Sequence, residues 1–297
     1  MSGGRWTTKS PGEPTGQGDT HVIRQTFLFL LCITFAVPAI ADDEADVYRR
    51  LTESKSSALV TVKFLLRMEG QFGKRESETE ITGIMIDAKG LILCANSKLG
   101  APRRFGSATP TDIKVLIGDD IDGLPAKVLA RDTELDLAWV QIKEPGEKTF
   151  EFMNLADPGE PKIGDRLYAL RRMAKFFDRT PIISDGRLAG RAKKPRDLLV
   201  PAGLSLDAGQ PVLTADGKLV GIVSLQLPED EEFQANPMAF MSIGRDIGGG
   251  LILPTAQVAK ATARALEAAK DEEEEDDADA DAETTKPSEK KDDGERE

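Results

Sequence analysis

The sequence predicts an all-β protein, a sandwich or barrel, that is followed by one helix. Short runs of apolar and β-branched residues recur at intervals of about 8–12 residues, and Gly, Pro and Asp turn signals separate them. Many short strands with turns between them are typical of β-sandwiches and β-barrels. Residues 254–270 depart from this pattern, because their apolar residues recur at helical spacing.

The first half of the chain contains six predicted strands. Between Val60 and Met68 apolar and polar side chains alternate, which is the period of a half-buried strand. Residues 69–77 are predicted as a polar loop. Residues 87–90 are predicted as a hairpin turn in which Gly90 takes the position that needs a positive φ. The predicted strands are residues 60–68, 81–86, 91–94, 113–117, 126–131 and 137–142.

The second half of the chain repeats this pattern after a stretch rich in Pro and Gly, residues 144–161. Ala215-Asp216-Gly217 is another hairpin signal between two apolar runs. The predicted strands are residues 166–170, 181–183, 187–189, 198–200, 211–213 and 219–225. The helix predicted for residues 254–270 has one apolar face, which is formed by Val258, Ala261, Ala265 and Ala269.

The first 41 residues have the features of a signal peptide. Basic residues precede an apolar run at residues 27–37, and the small residues of Ala39-Ile40-Ala41 form a cleavage-like pattern. The run is shorter than the roughly 20 apolar residues of a membrane span. We therefore expect export, with an uncleaved anchor or a misassigned start as the alternatives. Residues 45–54 could then form one or two turns of helix.

The negative charge is concentrated at the end of the chain. Residues 271–297 hold fifteen acidic and four basic residues, and so carry −11 of the formal net charge of −12. This segment has no large apolar residues to bury, which predicts a disordered acidic tail. The nearly neutral remainder has no basic patch or aromatic platform, so the sequence predicts no nucleic-acid partner.

Cysteine usage limits both the chemistry and the compartment. Cys32 lies within the predicted signal peptide, so the mature chain keeps only Cys94 and can form no internal disulfide. Cys94 stands in an apolar run and is predicted to be a buried small hydrophobic residue. An exported domain of this size without disulfides fits the bacterial periplasm or cell surface. Nothing in the sequence predicts a cofactor, and metal binding is not expected without histidine or paired cysteines.

Four stretches, at residues 83–93, 130–138, 163–170 and 207–212, together resemble the chymotrypsin-fold, or trypsin-like, serine peptidases of the bacterial HtrA (Deg) type. Residues 83–93 are similar to the hairpin that leads to the family's catalytic histidine, and residues 130–138 to the segment of its aspartate. Residues 163–170 resemble the start of the second barrel. Residues 207–212, with the strand that follows, stand where the family has its nucleophile motif.

The resemblance implies a fold of two six-stranded antiparallel β-barrels with a C-terminal helix. The first barrel is expected within residues 45–150 and the second within residues 151–253, before the helix of residues 254–270 and the tail of residues 271–297. A stretch ending at Pro254 also resembles the end of the family's peptidase domain. No PDZ domain is expected after it, since the tail is too short to hold one.

The family's catalytic triad is degenerate in this sequence. The position of the histidine falls on Ser97, that of the aspartate on Asp136 and that of the serine on Ala208. Ala208 has no nucleophilic atom, and the Ser97 hydroxyl cannot act as a general base near neutral pH. His21, the chain's single histidine, precedes the apolar run of the predicted signal peptide. Asp136 is expected to satisfy backbone donors instead of orienting a histidine.

The loop that would form the oxyanion hole is altered as well. Its positions are Leu206, Gly209 and Gln210. Leu206 replaces a glycine, and its Cβ disfavours any backbone geometry that needs a positive φ. Gln210 replaces a second glycine and could reach into the cleft beside Ala208.

The sequence therefore predicts an exported pseudoprotease that binds an extended peptide or a protein partner. One alternative is an active endopeptidase with an unrecognised arrangement, for which Ser205 and Lys98 are the candidate Ser–Lys pair. Another is a scaffold or regulatory subunit for an active paralogue. No membrane span is expected after cleavage of the signal peptide, and the oligomeric state and the ligand stay open.

Overall fold

A computed structural model gives the structure of the chain and describes residues 40–70, 73–100, 107–225 and 250–284. The chain divides into residues 1–46 and residues 47–297. Of the first unit only the beginning of helix α1 (Ile40–Lys55) is described, so the predicted signal peptide lies outside the described residues except at its last two positions. None of the helices that the structure describes is long and apolar enough to cross a membrane.

Six antiparallel strands close into a first barrel, in the order β1-β2-β3-β6-β5-β4. All six predicted strands of the first half are confirmed, several of them with longer bounds. The strands are β1 (Leu59–Gly70), β2 (Gly73–Met85), β3 (Leu91–Ala95), β4 (Ser107–Ile117), β5 (Leu124–Asp132) and β6 (Leu137–Ile142).

The polar loop predicted for residues 69–77 is wrong. β1 and β2 pair without interruption from Leu59 opposite Ile84 to Gly70 opposite Gly73. Cross-strand ion pairs stabilise this ribbon, among them Arg67 Nη2 with Glu76 Oε1 at 2.7 Å. Because the β2 residues from Arg75 to Ser77 are exposed on both faces, the ribbon lacks the apolar alternation that identifies a half-buried strand.

Six further strands close into a second barrel, in the order β10-β11-β12-β9-β8-β7. The two strands predicted at residues 181–183 and 187–189 are in fact one, with a shift in its pairing to β9 between Leu188 and Gly190. The strands are β7 (Arg166–Arg172), β8 (Pro181–Ala192), β9 (Leu198–Ala202), β10 (Pro211–Leu213), β11 (Leu219–Ser224) and β12 (Leu251–Pro254). The two barrels confirm the predicted fold class.

Both helices are longer than the sequence predicted. α1 has 16 residues where one or two turns were expected at residues 45–54. α2 (Thr255–Thr284) continues 14 residues beyond the predicted end at Lys270, so the prediction of disorder is wrong for residues 271–284. Those residues are rich in Glu and Ala, which favour helices, and contain neither Gly nor Pro. Residues 285–297 of the predicted tail lie outside the described part.

Helix α2 contacts strands of both barrels, β5 of the first and β11 and β12 of the second. The buried Trp139 of β6 donates its indole N–H to the Thr262 hydroxyl at 3.0 Å, and that hydroxyl donates to the carbonyl of Val258 at 2.9 Å. Val258 itself is fully buried. The helix therefore covers a part of the core to which both barrels contribute.

Two arginines connect the barrels near the C-terminal end of β7. Arg172 is the last residue of that strand, and Arg179 lies in the loop that follows it. Arg172 donates to three backbone carbonyls, those of Leu59 at 2.8 Å, Ser56 at 3.0 Å and Arg179 at 3.1 Å. Arg179 forms a bidentate ion pair with Glu80 of β2, at 2.9 and 2.6 Å. Burial lowers the pKa of Arg172, whereas the hydrogen bond to Glu80 raises the pKa of Arg179. These contacts fix the loop after β7 against the first barrel.

Gly221 of β11 allows a close backbone approach that no larger residue permits. A Cβ at this position would lie 2.1 Å from the carbonyl oxygen of Leu253 in the paired strand β12. We expect Gly221→Ala to lower the free energy of unfolding by about 3 kcal/mol, as overpacking of a core does. Gly190→Ala is the matched control, because its Cβ would meet only Val200, at 3.9 Å. Urea denaturation should show it to be neutral or slightly stabilising, and equal losses in both variants would contradict the steric account.

Candidate functional site

The turn after β3 holds Ser97, the residue at the predicted histidine position. The N–H groups of Lys98 and Leu99 donate to the carbonyl of Ala95, at 3.2 and 3.3 Å. Arg131 of β5 stabilises the turn, because its guanidinium donates hydrogen bonds to Asn96 Oδ1 and to the carbonyl of Leu99, both at 3.2 Å. Burial lowers the pKa of this guanidinium. The residues that precede and follow Ser97 in the sequence are therefore fixed by hydrogen bonds.

Asp136 lies in the turn before β6 and is only 5% exposed. Its φ of +56° belongs to the left-handed region, which Asp tolerates better than most residues. The carboxylate accepts three hydrogen bonds: Ser97 N–H to Oδ1 at 2.6 Å, Ser97 hydroxyl to Oδ2 at 3.0 Å and Leu225 N–H to Oδ2 at 3.1 Å. As predicted, Asp136 satisfies backbone donors, and it receives them from both barrels.

The loop before β10 holds Ala208 between Asp207 and Gly209. Gly209 has a φ of +85° and donates its N–H to the carbonyl of Val223 at 2.7 Å. A Cβ on Gly209 would lie 2.9 Å from the backbone nitrogen of Ala95. The loop is therefore packed closely against the end of β3, two residues before Ser97.

The sequence suggested that Gln210 could reach into the cleft beside Ala208, but its side chain does not do so. Its side chain is 2% exposed and turns back into its own loop, where Oε1 accepts the N–H of Asp207 at 2.9 Å. Its backbone carbonyl accepts the N–H of Val223 at 2.8 Å. The side-chain amide nitrogen makes no hydrogen bond to any described residue. Gln210 thus stabilises the conformation of its own loop.

The structure brings the three predicted site positions together. Ser97 and Asp136 are in direct contact, and the residues that follow Ser97 and precede Ala208 form an ion pair, with Lys98 Nζ 2.5 Å from Asp207 Oδ2. Ser205, the candidate nucleophile of the alternative, is exposed. Since the Lys98 ammonium is engaged by a carboxylate, it is poorly suited to take a proton from Ser205.

Sequence reasoning missed several residues that support this site. Ser224 at the end of β11 donates its hydroxyl to the carbonyl of Leu135 at 2.8 Å, next to Asp136. It is fully buried, and its position at the end of an otherwise apolar strand was the available signal. No feature of the sequence indicated the Lys98–Asp207 ion pair or the hydrogen bonds of Arg131 to the turn after β3.

Cys94 has no role in this chemistry. It is fully buried, as predicted, and its sulfur lies 3.6 Å from the carbonyl oxygen of Ala138. Burial raises the pKa of the thiol to about 12, so the reactive thiolate is absent near neutral pH.

A cavity of about 550 Å³ borders the site and is called the cleft cavity below. One side is formed by β1 and β2 of the first barrel and the other by the end of β7 and the loop after it. Lys98 and Asp207, which form the ion pair described above, also line it. The space is large enough for a few residues of an extended chain, which is the scale of a small-ligand site.

Comparison with known proteins agrees with this architecture. The family model described as trypsin-like peptidase domain matches residues 81–222. The crystal structure of Deg5 matches with a TM-score of 0.52 and 15% identity, over 76% of this chain and 94% of that one. The apo MamO protease domain from Magnetospirillum magneticum has a TM-score of 0.46 and 16% identity, over 70% of this chain and 97% of that one. Among curated protein sequences, none matches this chain.

Two closed six-stranded antiparallel barrels, joined by a terminal helix, define the trypsin-like peptidase fold, and the chain has this fold. The crystal structure of Deg5 has the same fold. The structural match to Deg5, at 15% identity, shows the fold alone and leaves the activity to be argued from the site.

Proposed function

We propose that this protein is an exported, catalytically inactive serine-protease homologue that binds an extended peptide or protein partner in the cleft between its barrels. The observation that carries the proposal is the engagement of Asp136 by Ser97 and Leu225. In a peptidase triad the aspartate orients a histidine, which takes the proton of a serine. Here the carboxylate is occupied by backbone N–H groups and a hydroxyl that cannot act as a base.

The residue at the nucleophile position also indicates that the protein is catalytically inactive. Ala208 offers only a methyl group to a bound carbonyl, so the covalent step of a serine peptidase has no attacking atom. The alternative Ser–Lys arrangement is disfavoured because Lys98 pairs with Asp207. A loss of both base and nucleophile fits a protein that retains the cleft of its fold without its chemistry.

Binding is favoured over a purely structural role because the described residues leave a cavity between the two barrels. Gln210 is folded into its own loop, and the cleft cavity, which Lys98 and Asp207 line, has a volume of about 550 Å³. In active relatives, the resemblance implies, such a cleft holds an extended peptide by strand addition, in which backbone hydrogen bonds supply affinity and side-chain pockets supply specificity. We infer the same geometry of binding here, in a bacterial periplasm or at a cell surface.

Unfolded casein labelled with a fluorophore tests the proposed binding and the proposed lack of peptidase activity on the same protein sample. We expect binding, seen as increased anisotropy, without release of acid-soluble fragments above the level of a buffer control. Ser205→Ala and Lys98→Ala should leave that background unchanged. Cleavage that disappears in Ser205→Ala would overturn the proposal in favour of an active endopeptidase. An absence of both binding and cleavage would favour the scaffold, which co-purification with an active paralogue would support.

A further inference from the structure

The lining of the cleft cavity is strongly charged. Its acidic members are Glu78, Glu80 and Asp207, and its basic members are Lys98, Arg171, Arg172 and Lys175. Whether the cavity favours an anion or a cation depends on which of these charges are already paired.

Each of the three acidic side chains has a close cationic partner. Glu80 is paired with Arg179 at 2.6 Å and Glu78 with Lys63 at 2.8 Å, and neither of these two cations belongs to the lining. Asp207 is paired with Lys98 at 2.5 Å. The negative charges of the lining are therefore neutralised without the help of Arg171, Arg172 or Lys175.

The remaining basic side chains lack equivalent partners. The hydrogen bonds of Arg172 described above all go to neutral carbonyls, and the exposed Asp119 attracts it only from beyond ion-pair distance. Lys175 is 4.0 Å from Glu78, which Lys63 holds more closely. Arg171 forms no ion pair with any residue that the structure describes. The lining thus has an excess of positive charge around a half-buried guanidinium.

We propose that the cleft cavity is a carboxylate-binding subsite, so that the ligand is a peptide with an acidic side chain or a free C-terminal carboxylate at this point. The proposal rests on the peptide-binding function proposed above and specifies the ligand. An arginine fork matches the two oxygens of a carboxylate, and the pair gains strength in a partly desolvated site. Arg171 is the residue that contributes most to this selectivity, because neither a carbonyl nor a carboxylate of the described chain engages it.

Three fluorescent peptides of one length separate the two sources of the carboxylate. The first is neutral with an amidated C terminus, the second replaces two of its Gln residues by Glu, and the third is the neutral peptide with a free carboxylate. We expect the full chain to bind the second or the third about tenfold more tightly than the first, the gain of a charge-assisted hydrogen bond. Equal affinities for all three would overturn the inference alone. Failure of all three to bind would overturn the proposed function with it.

Substitution of Arg171 locates the subsite. Arg171→Gln should weaken binding of the preferred carboxylate peptide about tenfold and leave the affinity for the neutral peptide unchanged. Arg171→Lys, which keeps the charge without the fork, should give an intermediate affinity. Arg264→Gln on α2, whose side chain is 71% exposed, is the matched control for loss of a positive charge and should have no effect. An equal loss for neutral and acidic peptides, or an equal loss in the control, would overturn the assignment to Arg171.

Discussion

A chain that ends at Pro254 is expected to be unfolded in buffer, whereas a chain that ends at Lys270 keeps the stability of the full-length protein. The first truncation removes all of α2, and with it the buried residues Val258 and Thr262. It also uncovers Trp139, whose indole N–H then loses its hydrogen-bond acceptor. The second truncation retains every helix residue that the structure describes as buried, the last of which is Ala269.

The size of the first effect follows from the buried surface. Burial of a valine contributes about 1.5–3 kcal/mol, and each of the methyl groups of Ala261, Ala265 and Ala269 contributes about 0.8 kcal/mol. The partial exposure of Trp139, together with its unsatisfied N–H, costs a further few kcal/mol. The total reaches the 5–15 kcal/mol that keeps a typical domain folded.

Circular dichroism shows whether each truncated chain is folded, and urea denaturation measures its free energy of unfolding. The chain ending at Lys270 should differ from the full-length chain by less than about 0.5 kcal/mol. A slight gain in stability would agree with the helix dipole, because acidic residues near a helix C terminus are unfavourable. A cooperative unfolding transition in the chain ending at Pro254 would show that α2 is dispensable and contradict its role in joining the barrels.

The strands could be predicted from the sequence wherever one face of a strand is buried. Burial produces the alternation that marked β1 and the apolar run that marked β6, which was predicted with its observed bounds. The first part of β2 and the middle of β8 carry polar residues on both faces, and there the alternation fails. Strand pairing in those segments depends on cross-strand ion pairs and on barrel closure, which leave no periodic signal in one strand alone.

The site could be predicted only in part for a related reason. The order of the motifs placed Ser97, Asp136 and Ala208, and the structure brings these positions together. The bond from Leu225 to Asp136, however, joins residues 89 positions apart in different barrels. Such contacts arise when two barrels meet, so neither partner shows in the sequence which residue it will face. The inward turn of Gln210 is likewise a property of its loop that residue type alone did not determine.

Replacement of Asp136 by alanine is expected to lower the free energy of unfolding by about 4 kcal/mol. The carboxylate accepts two backbone N–H groups and one hydroxyl, and it lies in a buried turn. Each buried donor left without an acceptor costs about 1–3 kcal/mol. The φ of +56° adds about 1 kcal/mol, because the short polar side chain of aspartate can make local hydrogen bonds that favour this conformation and alanine has none.

Two further variants separate the causes of this loss. Asp136→Asn keeps a residue that tolerates a positive φ and keeps one acceptor oxygen, but its NH₂ group faces a donor, so we expect about half the loss. Asp122→Ala removes an exposed aspartate from a turn and should change the stability by less than about 0.5 kcal/mol. Urea denaturation at constant pH measures all three, with equal slopes required for a direct comparison of midpoints.

The same variants distinguish a supporting carboxylate from a catalytic one. If Asp136 serves only to join the turn after β3 to the end of β11, Asp136→Asn should lose stability while its affinity for unfolded casein, measured where the protein is folded, stays unchanged. A variant of wild-type stability would contradict that role, because the three hydrogen bonds would then contribute nothing to folding. The aspartate of the triad would in that case need another reason to be present, and the casein cleavage measurement shows whether that reason is chemistry. A large loss of stability instead explains why an acidic residue stands here without a histidine to orient: the turn cannot keep its conformation without it.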